Sequence, residues 1–548
     1  MKINLVSINS KFIHSSLAAL SISKMYNVYA DKLDVTMPEL TVTETTINDS
    51  FDSIVYSVMN GADVYAFSVY IWNVSLVERL CRHIKLAQPE SIIILGGPEV
   101  SYGTDISDEC FDYIISGEGE RTFFALACEL NGVKVPDGWK FTADGKIRMA
   151  ENIIDLSEIV FPYNEDNIHN YDGRIIYYEA SRGCPFSCAY CLSSVCGKVR
   201  ELPLERVFGD LKFFIDKKVP QVKFVDRTFN CNRKRAREIW KFIINAENCE
   251  TNFHFEVGAD LPDSEDLRLL STCPNGRIQL EAGIQSTYEM ALDECCRHTD
   301  TAKLFSNVTE LVQNGNINIH VDLIAGLPYE TLEIFKKSFN DAYTLKAHQL
   351  QLGFLKLLHG APLNGMTEKH GYVFSAYPPY EIIKNCYLSY AEISELKRVE
   401  DVLERFYNSG RFKRSLAKIE TLFDTPYEMF MFLSDEFRIR KLTYKSVSTK
   451  VLYDLLSELF DDKISDFDRT LLLDFYTSEK SELVPSRLRY LAVSRDKSAV
   501  LVKAGSQHGN KKAQAKFIGN DAYIIDYSKR NPVNGSFEIA EVIENVYL

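Results

Sequence analysis

Three cysteines in one short loop constrain this chain more than any other feature. Residues 179–194 read EASRGCPFSCAYCLSS, which spaces Cys184, Cys188 and Cys191 as C-x-x-x-C-x-x-C. Thiolates are the usual ligands of iron-sulfur clusters, and three of them can hold three corners of a cubane. The fourth iron then has no protein ligand and is open to a substrate or cofactor.

Two alternatives compete with a three-ligand cluster. Zinc sites usually combine two cysteine pairs, or cysteine with histidine, at other spacings. Cys196 would be a fourth ligand that closes the cluster into an electron carrier, but it falls in a separate turn with Gly197. The three-cysteine interpretation is therefore preferred.

The cysteine spacing, with Tyr190 directly before the third cysteine, resembles the signature of the radical S-adenosylmethionine (radical SAM) enzymes. The resemblance implies a [4Fe-4S] cluster on Cys184, Cys188 and Cys191, with Tyr190 near SAM. It also implies that the open iron binds SAM, passes one electron to the sulfonium and releases a 5'-deoxyadenosyl radical.

The composition limits which classes of protein this chain can belong to. A chain of 548 residues with 46% hydrophobic and 25% charged residues is typical of two to four globular domains. No run approaches the roughly 20 apolar residues of a membrane helix, and the start MKINLVSINSKF lacks signal-peptide features. Thirteen cysteines without an export signal indicate a reducing, cytoplasmic location.

Charge gives no strong nucleic-acid signal. The net charge of -14 argues against broad attraction to nucleic acid or anionic lipid, which depends on lysine and arginine. The lysine-rich segment HGNKKAQAK is predicted to be a solvated loop.

Residues 1–145 predict a doubly wound α/β domain. Apolar strands at 3–8, 64–69, 92–95 and 113–115 alternate with helical stretches, which is typical of a parallel sheet. Ligands of such sheets lie beyond the carboxyl ends of the strands. Four loops should converge there: residues 9–16, SVYIWN, GGPEVS and SGEGE.

The elements FSVYIWN, GGPEVS and DYIISGEGE together resemble the cobalamin-binding domain that precedes the radical domain in cobalamin-dependent radical SAM proteins. The D-x-H-x-x-G motif of many other cobalamin proteins is missing, which leaves the lower axial ligand open. His14 is predicted to be a hydrogen-bonding loop residue rather than a cobalt ligand. The resemblance implies cobalamin contacts from Ser68, Tyr70, Trp72, Gly96, Gly97, Pro98, Gly117, Glu118 and Gly119.

Residues 146–172 are predicted to be a linker, after a hairpin that turns at Asp144-Gly145. Residues 173–363 then predict a partial (β/α)6 barrel. Its strands are predicted at 175–179, 221–225, 253–257, 278–282, 318–324 and 350–355. Function is expected at the carboxyl ends of these strands.

Two acidic residues follow the early barrel strands. Asp226, in KFVDRTFN, resembles the F-x-D-x-x-F variant of the radical SAM motif, which implies contact with the methionine amino group; a helix cap is the alternative. Glu256, in FHFEVGAD, is predicted to accept hydrogen bonds from the ribose hydroxyls, with a salt bridge as the alternative.

Two later segments resemble further radical SAM motifs. The resemblance of LEAGIQS implies that Gln285 lies near SAM or substrate, and that of VDLIAGLPYET implies that Ile324 and the turn at Gly326 approach adenine. Tyr329 stands where a second glycine is common.

Residues 364–548 predict a mainly helical domain with a small sheet. Apolar residues recur at three- and four-residue spacing over 380–459, and YLAVS, AVLVKAG and AYIIDYS alternate as strands do. The order of domains resembles a subgroup of cobalamin-binding radical SAM proteins with an uncharacterised carboxyl-terminal domain.

The resemblance predicts a cobalamin-dependent radical SAM enzyme that methylates an unactivated carbon. A reducing electron donor such as flavodoxin or ferredoxin is expected, and the substrate is unknown. The alternatives are a cobalamin-assisted cyclisation or rearrangement without methyl transfer, and a non-catalytic redox or corrinoid-binding module. Strand-end residues such as Asp226, Glu256 and Gln285 favour catalysis.

Overall fold

A computed structural model describes residues 1–150, 154–492 and 513–544. The chain divides into two compact units. The first contains residues 1–258, 293–298 and 355–386, and the second contains 259–292, 299–354 and the chain from 387 onward. Each unit is described by itself below.

The first unit begins with a sheet of seven strands in the order β2-β1-β3-β4-β5-β7-β6. The strands are β1 (Lys2–Asn9), β2 (Glu39–Thr46), β3 (Val64–Ser68), β4 (Ile92–Gly96), β5 (Tyr113–Ser116), β6 (Phe141–Asp144) and β7 (Ile147–Ala150). The helices are α1 (Leu17–Ala30), α2 (Phe51–Val58), α3 (Val74–Ala87), α4 (Pro98–Ser101) and α5 (Gly119–Leu130). All neighbours pair in parallel except β6 and β7, so the predicted doubly wound sheet is confirmed.

Helices cover both faces of this sheet. One apolar cluster packs α2 and α3 on the sheet through residues such as Ile54 and Leu80. The other packs α1 and α5 on the opposite face through Met25 and Phe124. Because both faces are buried, the central strands read as continuous apolar runs, and the carboxyl edge stays available for loops.

Six parallel strands of the predicted barrel alternate with helices over residues 176–354, three in each unit. The first unit holds β8 (Ile176–Tyr178), β9 (Ser181–Arg182), β10 (Arg200–Glu201), α6 (Leu204–Asp216), β11 (Gln221–Phe224), α7 (Arg233–Asn245) and β12 (Asn252–Val257). Here β11 pairs in parallel with both β8 and β12, while β9 and β10 form a separate antiparallel pair. The second set continues with α8 (Ser264–Ser271), β13 (Ile278–Gln285), α9 (Glu289–Glu294), α10 (Thr301–Asn314), β14 (Asn318–Ala325), α11 (Leu332–Thr344) and β15 (Gln349–Phe354). In the second unit β14 pairs in parallel with β13 and β15.

The remainder is mainly helical, as predicted. A short hairpin of β16 (Val373–Phe374) and β17 (Ile382–Lys384) is followed by α12 (Tyr390–Leu403), α13 (Lys413–Ile419), α14 (Pro426–Ile439), α15 (Thr449–Phe460) and α16 (Phe467–Ser478). A three-stranded antiparallel sheet ends the described chain, with β18 (Ala513–Ile518), β19 (Asp521–Asp526) and β20 (Glu538–Ile543). None of the helices in the described ranges combines the length and apolar character that a membrane crossing requires.

The small sheet was predicted only in part. AYIIDYS covers β19 except for its first residue, Asp521. AVLVKAG and the end of YLAVS lie outside the described residues. The solvated loop predicted for HGNKKAQAK is wrong for its last four residues, which belong to β18. There Lys516 is only 6% exposed, because its ammonium meets Glu482 at 3.1 Å and also lies over the rings of Tyr476 and Tyr527.

Candidate active site

The cysteine loop begins directly after β9 and is fixed by backbone contacts. Gly183 has φ +105°, and a Cβ there would lie 2.6 Å from the carbonyl oxygen of Lys198. The amide of Ala189 donates to the carbonyl of Cys295 at 2.8 Å, and the carbonyl of Ala189 accepts from Leu363 at 2.9 Å. The loop therefore has a defined path that only glycine permits at its entrance.

The donor set of the loop fits an iron-sulfur cluster. Cys184 and Cys188 are buried, and Cys191 is half-buried. The three cysteines follow one another within eight residues of a single loop, and thiolate is the usual ligand of such clusters.

Arg297 supplies positive charge at the loop. Its Nη1 lies 3.9 Å from Sγ of Cys188. Burial raises the pKa of the Cys188 thiol, and the Arg297 guanidinium opposes that rise. An arginine beside a cysteine favours the thiolate that a metal requires. Arg297 lies far along the sequence from the loop, and the three-cysteine pattern gave no indication of it.

Tyr190 is placed for a ligand contact that stays a prediction. Its hydroxyl is buried without a hydrogen-bond partner in the described part of the chain. Burial raises the pKa of Tyr190. The side chain of Cys196, the alternative fourth ligand, is outside the described residues.

Asp226 is deeply buried and holds the start of the cysteine loop. Its carboxylate accepts hydrogen bonds from the amide of Ala180, at 3.0 Å, and from the hydroxyl of Ser181. Burial raises the pKa of Asp226 to about 7, and these two hydrogen bonds oppose the rise. The predicted contact with the SAM amino group stays a prediction, and the observed contacts give Asp226 a positioning role as well.

Glu256 and Lys223 form a loose ion pair at the ends of neighbouring strands. The Nζ of Lys223 lies 3.9 Å from Oε1 of Glu256, and both side chains are about a quarter exposed. The salt bridge that was the alternative to the ribose contact is thus present, at a long distance.

At the cysteine loop itself, Thr228 Oγ1 lies 3.7 Å from Sγ of Cys184.

Gln285, Ile324 and Gly326 belong to the second unit. Gln285 follows a bulge at the end of β13 and has φ +69°, and its buried Oε1 lacks a hydrogen-bond partner among the described residues. Gly326 has φ +102°, which glycine adopts without cost. Tyr329, where a second glycine was expected, has φ +62° and therefore keeps the left-handed turn despite its side chain. The SAM contacts of these residues remain predictions.

The loops at the carboxyl edge of the first sheet are bonded to one another. The amide of Val69 donates to the carbonyl of Gly96 at 2.7 Å, and a Cβ on Gly97 would lie 2.5 Å from the carbonyl oxygen of Val69. Ser116 Oγ donates to the carbonyl of Ser101 at 2.9 Å. The structure thus brings together the predicted cobalamin residues Ser68, Gly96, Gly97, Pro98, Gly117 and Gly119 at the ends of β3, β4 and β5.

Two stacked aromatic rings lie at this edge, and one of them is exposed. Tyr70 and Trp72 stack with ring centroids 4.4 Å apart and an interplanar angle of 6°. The indole nitrogen of Trp72 donates to the carbonyl of Ile8, while 43% of the residue is exposed. A flat, partly exposed indole suits a macrocycle, and its contact with a corrin stays a prediction.

An ion-pair network joins this edge to the cysteine loop. Arg182, two residues before Cys184, donates to Glu120 at 2.8 Å and to Glu179 at 2.7 Å, and lies 3.2 Å from Glu118. Glu118 also pairs with Arg200. Its carboxylate is therefore engaged by protein cations, and these partners hold its pKa below the usual range despite burial. We call Arg182, Arg200, Glu118, Glu120 and Glu179 the arginine clasp.

His14 also connects the first sheet with the barrel strands. Its Nδ1 lies 2.7 Å from the hydroxyl of Tyr177 on β8. Burial, with nearby Lys11, Lys223 and Arg174, lowers the pKa of His14. These contacts agree with a hydrogen-bonding loop residue.

Three family models match the chain along its length. "B12 binding domain" matches residues 3–127, "Radical SAM superfamily" matches 178–342, and "Protein of unknown function (DUF4080)" matches 368–523. The predicted family and its order of domains are confirmed. The exact domain boundaries and the individual contact residues stay predictions.

The named proteins to which this chain is similar are distant from it in sequence. The 2-(S-pantetheinyl)-carbapenam-3-carboxylate methyltransferase of Streptantibioticus cattleyicolor is 24% identical over 58% of this chain and 50% of its own. The cobalamin-dependent radical SAM methyltransferase TokK of Streptomyces tokunonensis is 24% identical over 55% of this chain and 48% of its own. The chain thus spans about half the length of these relatives. The structure of the cobalamin-dependent SAM radical enzyme OxsB with aqua-cobalamin covers 86% of this chain and 84% of its own, with a TM-score of 0.60 and 15% identity, which shows a shared fold.

Proposed function

Because the chain is a radical SAM protein with a B12-binding domain before the radical SAM domain and a DUF4080 domain after it, we propose that it is a cobalamin-dependent radical SAM methyltransferase. It uses a [4Fe-4S] cluster to cleave SAM and methylates an unactivated carbon of its substrate. An external one-electron reductant, such as flavodoxin or ferredoxin, supplies the electron.

The arginine clasp is the observation that carries this proposal. Arg182 lies two residues before the first cluster cysteine, and its guanidinium is bound by Glu118 and Glu120 from the predicted corrinoid edge. The radical formed at the cluster and the methyl group carried by the corrinoid must both reach the substrate. The cysteine loop and the corrinoid edge therefore need a fixed position relative to each other. A separate redox module and corrinoid carrier would not require that connection.

The residues of the cysteine loop have distinct tasks in this proposal. Cys184, Cys188 and Cys191 hold the cluster, and Arg297 offsets negative charge at Cys188. Asp226 fixes the backbone that enters the loop through Ala180 and Ser181. When bound, the cluster supplies the electron that splits the SAM sulfonium, and the cobalamin supplies the methyl carrier.

The remaining assigned residues bind and orient. Tyr190, Asp226, Glu256, Gln285, Ile324 and Gly326 are proposed to contact SAM. Trp72 is proposed to lie against one corrin face, with Tyr70 stacked behind it. The glycines at Gly96, Gly97, Gly117 and Gly119, with Ser68 and Pro98, shape the corrinoid edge. Glu118 acts on that edge indirectly, because its carboxylate binds Arg182 and Arg200 of the arginine clasp.

The test is anaerobic reconstitution of the full chain with iron, sulfide and hydroxocobalamin. SAM and a reductant are then added, and 5'-deoxyadenosine and bound corrinoid are quantified. We expect deoxyadenosine together with about one corrinoid per chain. A chain that makes deoxyadenosine but retains no corrinoid would refute cobalamin dependence, and one that makes neither would refute the enzyme.

Matched cysteine variants assign the cluster. Replacing Cys184, Cys188 and Cys191 with alanine should abolish both the cluster absorbance and SAM cleavage. The control is Cys386→Ala, which removes an exposed cysteine and should leave both unchanged. SAM cleavage that survives the triple substitution would contradict the assignment.

A further inference from the structure

A second group of metal-ligand side chains lies in the second unit, separate from the cysteine loop. It consists of Glu281 on β13 with His320 and Asp322 on β14. One ligand atom from each of them lies within 4.8 Å of the other two. All three side chains are half-buried, so the group is partly shielded from solvent but still accessible to an ion.

The parallel pairing of β13 and β14 brings the group together. Glu281 is in register with His320, and Gly283 is in register with Asp322. Burial alternates along both strands, and all four residues fall on the less buried face. Gly283, the register partner of Asp322, has no side chain that would compete with Asp322 for an ion.

The spacing of the ligand atoms suits a single divalent ion. Nε2 of His320 lies 2.9 Å from Oδ1 of Asp322. Neighbouring ligands around an octahedral ion with bonds of 2.0–2.1 Å are roughly 3 Å apart. Two carboxylate oxygens and one imidazole nitrogen form a donor set that suits Mn²⁺, Fe²⁺ or Zn²⁺.

We propose that Glu281, His320 and Asp322 bind a divalent transition-metal ion. Three protein ligands leave coordination positions open. Gln285 and Ile324, two of the proposed SAM residues, lie on the same strand faces. The open positions take an oxygen donor of the substrate, such as a carboxylate or phosphate. This role of the ion rests on the proposed function, whereas ion binding itself does not.

Mn²⁺ binding to the full chain tests the site. The protein carries alanine at Cys184, Cys188 and Cys191, so that the cluster thiols do not compete, and it is freed of metals with a chelator. Free Mn²⁺ is followed by its six-line electron paramagnetic resonance signal during a titration, without SAM or corrinoid. We expect one Mn²⁺ per chain, with echo modulation from an imidazole nitrogen.

Variants distinguish this site from adventitious binding. In that background, His320→Gln should remove the nitrogen modulation and weaken Mn²⁺ binding at least tenfold, and Glu281→Gln and Asp322→Asn should weaken it similarly. Glu333→Gln is the control, because it removes a carboxylate that is 80% exposed and should change nothing.

Two outcomes would overturn the site: no stoichiometric Mn²⁺ binding, or equal binding and nitrogen modulation in the control and the His320→Gln variant. The near-isosteric substitutions preserve shape, and circular dichroism checks that each variant is folded. Since the assay contains neither SAM nor corrinoid, failure of the proposed methyl transfer would leave its result unaffected.

Discussion

Replacing Arg182 with methionine tests the arginine clasp directly. Arg182 is 21% exposed, and Glu120, one of its partners, is 6% exposed. The substitution keeps most of the aliphatic stem and removes the guanidinium that contacts Glu118, Glu120 and Glu179. Glu118 retains Arg200, whereas Glu120 is left as a buried carboxylate.

The expected loss follows from the uncompensated charge. Breaking a buried ion pair by removing one partner costs about 3–5 kcal/mol, and the partial exposure of Arg182 favours the lower end. With a urea m value of about 3 kcal/mol/M, a loss of about 3 kcal/mol lowers the unfolding midpoint by about 1 M. Midpoints are measured by circular dichroism on the protein without cofactors.

Two further variants make this result decisive. Arg82 also pairs with two glutamates, Glu78 and Glu109, but it is 47% exposed. Arg82→Met should therefore lower the unfolding midpoint much less than Arg182→Met does. Adding Glu120→Gln to Arg182→Met should recover part of the loss, because the buried charge is then gone. Equal losses for the two arginine variants, or no recovery in the double variant, would refute the reasoning.

Two other predictions concern a loop and a buried acid. Gly97→Ala should lower both stability and corrinoid retention, because its Cβ meets the Val69 carbonyl at 2.5 Å; Gly61→Ala, also at positive φ but with open space, is the control. Burial raises the pKa of Glu330 to about 7, so the folded chain keeps a proton that the unfolded chain releases above about pH 4.5. Stability should fall between pH 5 and 7, and Glu330→Gln should reduce that slope in urea unfolding; an unchanged slope would count against it. Asp226 keeps part of the slope in the variant, since its pKa is also about 7.

The sequence allowed the order of elements to be predicted because that information is local. Continuous apolar runs mark strands that are buried on both faces, and β3 and β4 are of this kind. Strand β2 was not predicted, because its sequence ELTVTETT is polar and it lies at an exposed edge of the sheet. Strand β18 was missed for a related reason. A lysine usually indicates a solvent-exposed position, but Lys516 is buried and pairs with Glu482, which is distant in the sequence.

Candidate ligands were easier to predict than the partners of their side chains. Cys184, Cys188 and Cys191 are recognisable because their spacing is short. Arg297 is 106 or more residues away along the numbered chain, and only folding brings its guanidinium to Cys188. Periodicity describes which face a residue occupies, but it contains no information about which charge from another segment will meet it there.

Glu118 shows the consequence for interpreting the corrinoid edge. The motif SGEGE resembles a cobalamin-binding loop, yet the Glu118 carboxylate is bound by Arg182 and Arg200. A Glu118 substitution would therefore disturb the entrance to the cysteine loop as well as the corrinoid edge, and loss of cobalamin in it would not identify a direct contact. A Trp72 substitution separates the two effects. Trp72 is 43% exposed, its hydrogen bond goes to Ile8 and its ring stacks on Tyr70, and neither partner belongs to the arginine clasp. A Trp72→Leu variant that loses corrinoid but keeps cluster absorbance would assign the corrin contact to this edge, whereas unchanged corrinoid retention would place the cofactor elsewhere.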